Sequence, residues 1–126
     1  MVTKTSRAHT PVGKISEAFL DFASPLIDAA GPEAGPPELE PILKIAFSVW
    51  NAVVIDTVNG DSRFVDAIRQ ATAAAPGASA LVESLLSRKR LVFANDDRLI
   101  GNYELLQKNG KWILRAEARD PRGGSS

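Results

Sequence analysis

The stretch from Ile42 to Val58, ILKIAFSVWNAVVIDTV, is apolar on nearly every side of a helix, and this limits what the chain can fold into. On a helical wheel only Lys44, Ser48 and Asn51 form a polar stripe, roughly 60° wide. Phe47, Val49, Trp50, Val53, Val54 and Ile55 cover the remaining directions. A helix of this kind is stable in water only when other elements enclose it. It is also a poor membrane span, because Lys44, Asn51 and Asp56 are each costly in lipid and the run is short. It is therefore expected to be the buried hub of a small soluble domain.

The flanking segments have the periodicity needed to wrap such a hub. A first helix is expected from about Lys14 to Ala30, with Ile15, Phe19, Phe22, Ala23, Leu26, Ile27 and Ala30 on one face. At Pro25 this helix either kinks or gives way to a second short helix capped by Ser24. Gly31 to Pro37 (GPEAGPP) breaks the helix, and the hub is expected to begin between Glu38 and Pro41. Asn59-Gly60 stops it, and Asp61 stands ready to cap the next helix. A third helix is expected from Ser62 to about Ala75, presenting Phe64, Val65, Ile68, Ala71 and Ala75. A fourth follows from a Ser79 cap to Phe93 or Ala94, presenting Leu81, Val82, Leu85, Leu86, Val92 and Phe93.

Beyond Asn95-Asp96-Asp97 the period changes from 3.6 to 2. Tyr103 and Leu105, then Trp112, Leu114, Ala116 and Ala118, alternate with polar residues around Lys108-Asn109-Gly110-Lys111. Asn-Gly between such runs predicts a two-residue type I′ hairpin. That loop sets the register: Lys108 opposite Lys111, Gln107 opposite Trp112, Leu105 opposite Leu114, and Glu104 opposite Arg115. Leu106 and Ile113 then share the face directed away from the helices. The expected fold is mainly α: four helices around a central buried helix, with a C-terminal two-stranded antiparallel β-hairpin. Residues 14–119 form one domain with the hairpin at about 98–119, between a flexible polar arm (1–13) and a flexible tail (120–126).

Composition removes several functions. With no cysteine there is no disulfide framework, thiolate zinc site or cysteine nucleophile. Fifteen basic and fifteen acidic residues leave no net charge to attract nucleic acid or anionic lipid. The single histidine, His9, lies in the polar arm, away from any dyad or triad pattern. No phosphate-cradling loop, GxSxG elbow or HExxH motif occurs. No catalytic, cofactor-binding or metal-ligating residue is assigned, and no cofactor is expected.

Lys89 is the most unusual residue, since it falls in the middle of the fourth helix's apolar face. Three arrangements accommodate it: snorkelling past the core, which is commonest for lysine, pairing with Asp56 of the hub, or lining a pocket. Asn51, Asp56 and Lys89 are thus the candidate polar pocket or ion pair. Arg88-Lys89-Arg90 is a candidate nucleic-acid contact, joined by Lys4, Arg7 and Lys14, although cations in a last helical turn also complement the helix dipole. Asp56 to Asp61 resembles an oxygen-rich metal loop, but a helix stop followed by an Asp cap accounts for the same residues. Asp96 and Asp97, adjacent in a turn, are expected to face water.

The segments PILKIAFSVWNAVVIDTVNGDSRF and LLSRKRLVFANDDRLIGNYEL resemble small uncharacterised bacterial helical proteins, some of which carry a Cys-rich SEC-C tail that this chain lacks. The resemblance spans roughly Ile15 to Ala118. It implies a bacterial cytosolic origin and transfers no activity and no site residue. The expected function is a non-enzymatic protein-interaction or regulatory module of the bacterial cytoplasm, with a protein partner, a homodimer through the hairpin's outer face or edge including Leu106 and Ile113 being the candidate, and no membrane role. The alternatives are nucleic-acid binding through Arg88, Lys89 and Arg90, and small-ligand binding between the helices.

Overall fold

The structure is a computed structural model that describes residues 14–121. The expected arm, and the tail beyond residue 121, lie outside the described residues. Helix α1 (Ile15–Ala30) leads into α2 (Pro36–Asn59), the hub, followed by α3 (Arg63–Thr72) and α4 (Pro76–Val92). Strands β1 (Leu99–Lys108) and β2 (Lys111–Arg119) form a two-stranded antiparallel sheet.

The hub is enclosed as its sequence requires. Leu39, Leu43, Ala46, Val49, Trp50, Ala52, Val53 and Val54 are buried along α2, and α1, α3, α4 and β1 all contact it. Lys44 and Ser48, on the polar stripe, remain exposed. By length and composition alone α2 could cross a membrane; here it packs as the core helix of a folded domain. Around it Phe22 meets Trp50 edge-on at 5.2 Å, and Phe93 lies 5.4 Å from Trp50 and 5.8 Å from Phe22. Offset and edge-on aromatic pairs of this kind contribute beyond their buried area.

Two helix starts differ from expectation for the same reason. α2 begins at Pro36 and α4 at Pro76, each with proline at its first position. A first-turn residue has no helical partner for its N–H, so proline there starts a helix as readily as it ends one. Gly35 N–H donates to the Glu38 carboxylate at 2.8 Å, fastening the first turn of α2. Ser79 accordingly lies inside α4 and does not cap it. α3 stops at Thr72, three residues early, and only Val65 of its expected face is buried. Phe64 is 44% exposed, and Ala71 and Ala75 also face solvent, because α3 is covered only along the side that meets α2 and α4.

From the turn as far as Asn102 the hairpin has the expected register: Lys108 opposite Lys111, Gln107 opposite Trp112, Leu105 opposite Leu114 and Glu104 opposite Arg115. Asn109 and Gly110 have φ of 53° and 77°, the left-handed values that a type I′ turn demands. A bulge at Gly101 shifts the pairing near the base. Tyr103, on the inner face, meets Phe19 at 5.4 Å and Phe47 at 5.3 Å, so β1 and β2 close the groove between α1 and α2.

Candidate functional site

Lys89 is 2% exposed and does not snorkel. Its stem bends forward past the end of α4, where Nζ donates to Phe93 O and Asp96 O, each at 2.8 Å. The ammonium also lies 4.4 Å from the centre of the Trp50 ring, within cation–π range. Lys89 therefore closes the C-terminus of its own helix, where carbonyls lack intrahelical donors. Burial is the dominant influence and lowers its pKa from 10.5 to about 8, while Asp96 and Asp97 oppose the shift and Arg98 adds to it. Beside it is a cleft of about 220 Å³ lined by Val53, Val54, Thr57, Arg90, Asp96 and Asp97.

Asp96 also departs from expectation. Its side chain is buried and holds Arg98 in a fork, Nε to Oδ1 at 2.8 Å and Nη2 to Oδ2 at 2.6 Å. Arg98 O in turn accepts Trp50 Nε1–H at 2.7 Å. The connection from α4 to β1 is thus fixed by one chain of contacts, Lys89 to Asp96 to Arg98 to Trp50.

Arg88 is engaged inside the protein at the point where Pro25 interrupts α1. Pro25 lacks the N–H that would reach Asp21 O, yet α1 continues as one helix from Ile15 to Ala30. Asp21 O accepts Ser24 Oγ–H at 2.8 Å and Arg88 Nη2–H at 2.8 Å instead. Arg88 Nε–H donates to Phe22 O at 3.0 Å, and its Nη2 is 3.3 Å from the Asp21 carboxylate. Of the Arg88-Lys89-Arg90 cluster only Arg90 is exposed. The three cations therefore do not form a common surface.

Asp56 and Lys89 are not brought together. Both carboxylate oxygens of Asp56 accept backbone N–H groups from the first turn of α3, Phe64 at 3.1 Å and Val65 at 2.9 Å. Asp56 does the work of an N-cap from the preceding helix, while the expected cap, Asp61, accepts only Arg63 N–H at 3.3 Å. Among the described residues no three His, Cys, Asp or Glu side chains gather to hold a metal ion.

Asn51 reaches the sheet. Its Nδ2–H donates to Ile100 O at 2.9 Å and its Oδ1 accepts Ile100 N–H at 2.8 Å, so one amide side chain takes the place of a neighbouring strand. Ser16 acts in the same way on β2: its hydroxyl donates to Ala116 O at 3.1 Å and accepts Ala116 N–H at 2.7 Å. Replacing Asn51 by alanine leaves both Ile100 groups without a partner. This is expected to cost about 1–3 kcal/mol and to speed hydrogen exchange at the Ile100 amide. Unchanged exchange there would show that the clamp is not holding β1.

Leu106 and Ile113 stand directly opposite each other on the outer face, 36% and 45% exposed. Sequence reasoning identified this pair but missed Ser16, Arg88 and Asp96 as structural anchors. Apart from the Asp21 carboxylate beside Arg88, their partners are backbone groups or a near neighbour, which leave no pattern in composition.

The elements define a mainly α, four-helix domain closed by a two-stranded hairpin, with charged side chains used internally and an apolar pair displayed outside. No family model, curated protein or solved structure matches the chain in comparisons with known proteins.

Proposed function

We propose that this chain is a non-enzymatic protein-interaction or regulatory module of the bacterial cytoplasm, using the outer face of its hairpin as the contact surface and a second copy of itself as the partner. The observation that supports it is the exposed Leu106–Ile113 pair. Two branched apolar side chains, opposed across strands and flanked by the Glu104–Arg115 pair, give the apolar centre and charged rim of an interface. A two-stranded sheet also has two edges, and such edges are inherently prone to pairing. The likeness of the two quoted segments to bacterial helical proteins supports the cellular setting.

A nucleic-acid role draws less support, because Arg88 and Lys89 donate their hydrogen bonds to protein oxygens. The cleft beside Lys89 supports no second reading, since the ammonium is already committed to two carbonyls and the Trp50 ring.

Light scattering tests the proposal. At hundreds of micromolar the chain is expected to run at twice its 13.5 kDa mass. The Leu106→Lys, Ile113→Lys double variant is expected to run at 13.5 kDa while keeping its helical circular dichroism. A wild-type chain that stays monomeric at that concentration removes the proposal.

A further inference from the structure

The directions of the strand backbones are fixed by the turn. Lys108 and Lys111 flank a two-residue loop and so form a hydrogen-bonded pair, after which bonded and non-bonded pairs alternate. Leu106–Ile113 and Glu104–Arg115 are therefore bonded within the hairpin. Gln107, Leu105 and Tyr103 turn their N–H and C=O groups away from β2, toward the outer edge of β1. The helix contacts agree with this parity once the Gly101 bulge is counted: Ser16 meets Ala116, the partner of Tyr103, and beyond the bulge, which shifts β1 by one residue, Asn51 meets Ile100, the partner of Ala118, both at outward-facing groups.

The two edges are consequently sealed at the base of the hairpin and unsealed toward its turn. Among the described residues, the outward backbone groups of Tyr103, Leu105 and Gln107 make no hydrogen bond beyond the hairpin. On β2 the corresponding run is shorter, because Ser16 already holds Ala116.

We propose that a second copy of this chain pairs antiparallel with the β1 edge, in the register that sets Leu106 opposite Leu106, producing a four-stranded sheet β2-β1-β1-β2. This rests on the reading of the hairpin as a contact surface and specifies its partner and geometry. In this register Leu105 exchanges both backbone bonds with Gln107 of the second copy, and Gln107 with Leu105. Leu106 meets its own counterpart in a non-bonded pair, where side chains approach most closely. Glu104 falls opposite position 108 of the second copy, where the sequence has a lysine, so the arrangement complements itself in charge. The register one residue away, centred on Leu105, sets Glu104 against Leu106 and loses both matches. The occupant is thus another copy rather than an arbitrary extended peptide, because the apolar and charged positions of β1 match those of β1 itself reversed.

The absence of cysteine gives a direct test. In the proposed register the α-carbons of the two Leu106 residues are about 4.5 Å apart, within the range a disulfide spans. Leu106→Cys is expected to cross-link to a dimer under mild oxidation, at least tenfold faster than Ile113→Cys. The Ile113 positions lie three strand spacings apart, about 14 Å, in the same sheet. A second variant leaves the hairpin ladder intact: Gln107→Pro removes only an outward N–H, and proline is tolerated where an edge N–H faces solvent. It is expected to weaken dimerisation at least tenfold, with Gln107→Ala unchanged. A wild-type dimer in which Ile113→Cys cross-links as fast as Leu106→Cys, or in which Gln107→Pro associates normally, overturns the edge register but leaves the hairpin as the contact face. A wild-type monomer overturns both.

Discussion

Replacing Trp50 by alanine is expected to lower stability by about 3–5 kcal/mol, the range for truncating a large buried aromatic residue. Trp50 is fully buried at the centre of the hub, edge-on to Phe22 and tilted against Phe93. It also carries the Lys89 ammonium on its face and bonds Arg98 O through Nε1. Its removal therefore opens a cavity where α1, α2 and α4 meet and detaches the connection to β1 at the same time. For a domain of this size the melting temperature is expected to fall by on the order of 15–30 °C. Trp50→Phe separates the two contributions. It retains most of the ring packing but leaves Arg98 O unpaired, and is expected to cost about 1–2 kcal/mol. Thermal unfolding followed by circular dichroism measures both. If the alanine variant lost less than about 1 kcal/mol, α2 would not be the core on which the other helices are assembled.

The hub and hairpin were readable in the sequence because each rests on a periodic constraint. From Ile42 to Val58 nearly every wheel direction is apolar, which leaves enclosure as the only stable arrangement in water. Asn109-Gly110 fixes a loop of two residues, and a strand period of two then settles the cross-strand pairs as far as Asn102–Glu117, short of the Gly101 bulge, and the exposure of Leu106 and Ile113. Helix starts were less readable, because Pro36 and Pro76 signal a break and a first turn equally well. The charged residues were the least readable. Lys89, Arg88 and Asp56 are satisfied largely by main-chain carbonyls or amides of other segments, and every residue carries those groups. A sequence can show that a charge falls on an apolar face. Which backbone meets it depends on where the chain turns, here at Phe93 to Asp96, and on where a carbonyl lacks its helical donor, as at Asp21 within the unbroken α1.

Lys89 makes stability depend on alkaline pH with a definite sign. Its folded pKa is about 8, against 10.5 for the ordinary side chain. Below about 8 the amine is protonated in both states, and the folded state bears the full cost of a buried ammonium. Between about 8 and 10.5 the unfolded chain binds the proton that the folded chain has released, so stability rises with pH through this window. At 1.36 kcal/mol per pKa unit the gain is about 3 kcal/mol by pH 10.5. The contacts allow it: a neutral amine keeps two N–H groups, enough for both Phe93 O and Asp96 O, and gives up only the cation–π contact with Trp50. Lys89→Met isolates the effect from other groups that titrate in the same range. Near pH 7 methionine removes a desolvated charge but leaves two carbonyls unpaired, so these opposing changes are expected to leave it within about 2 kcal/mol of wild type. The difference between wild type and variant is then expected to grow in favour of wild type from pH 8 to 10.5, as measured by urea denaturation at half-unit intervals. Parallel curves across that window would mean that Lys89 holds its proton in the folded protein as firmly as in the unfolded chain, and that the closed end of α4 is wetter than its geometry indicates.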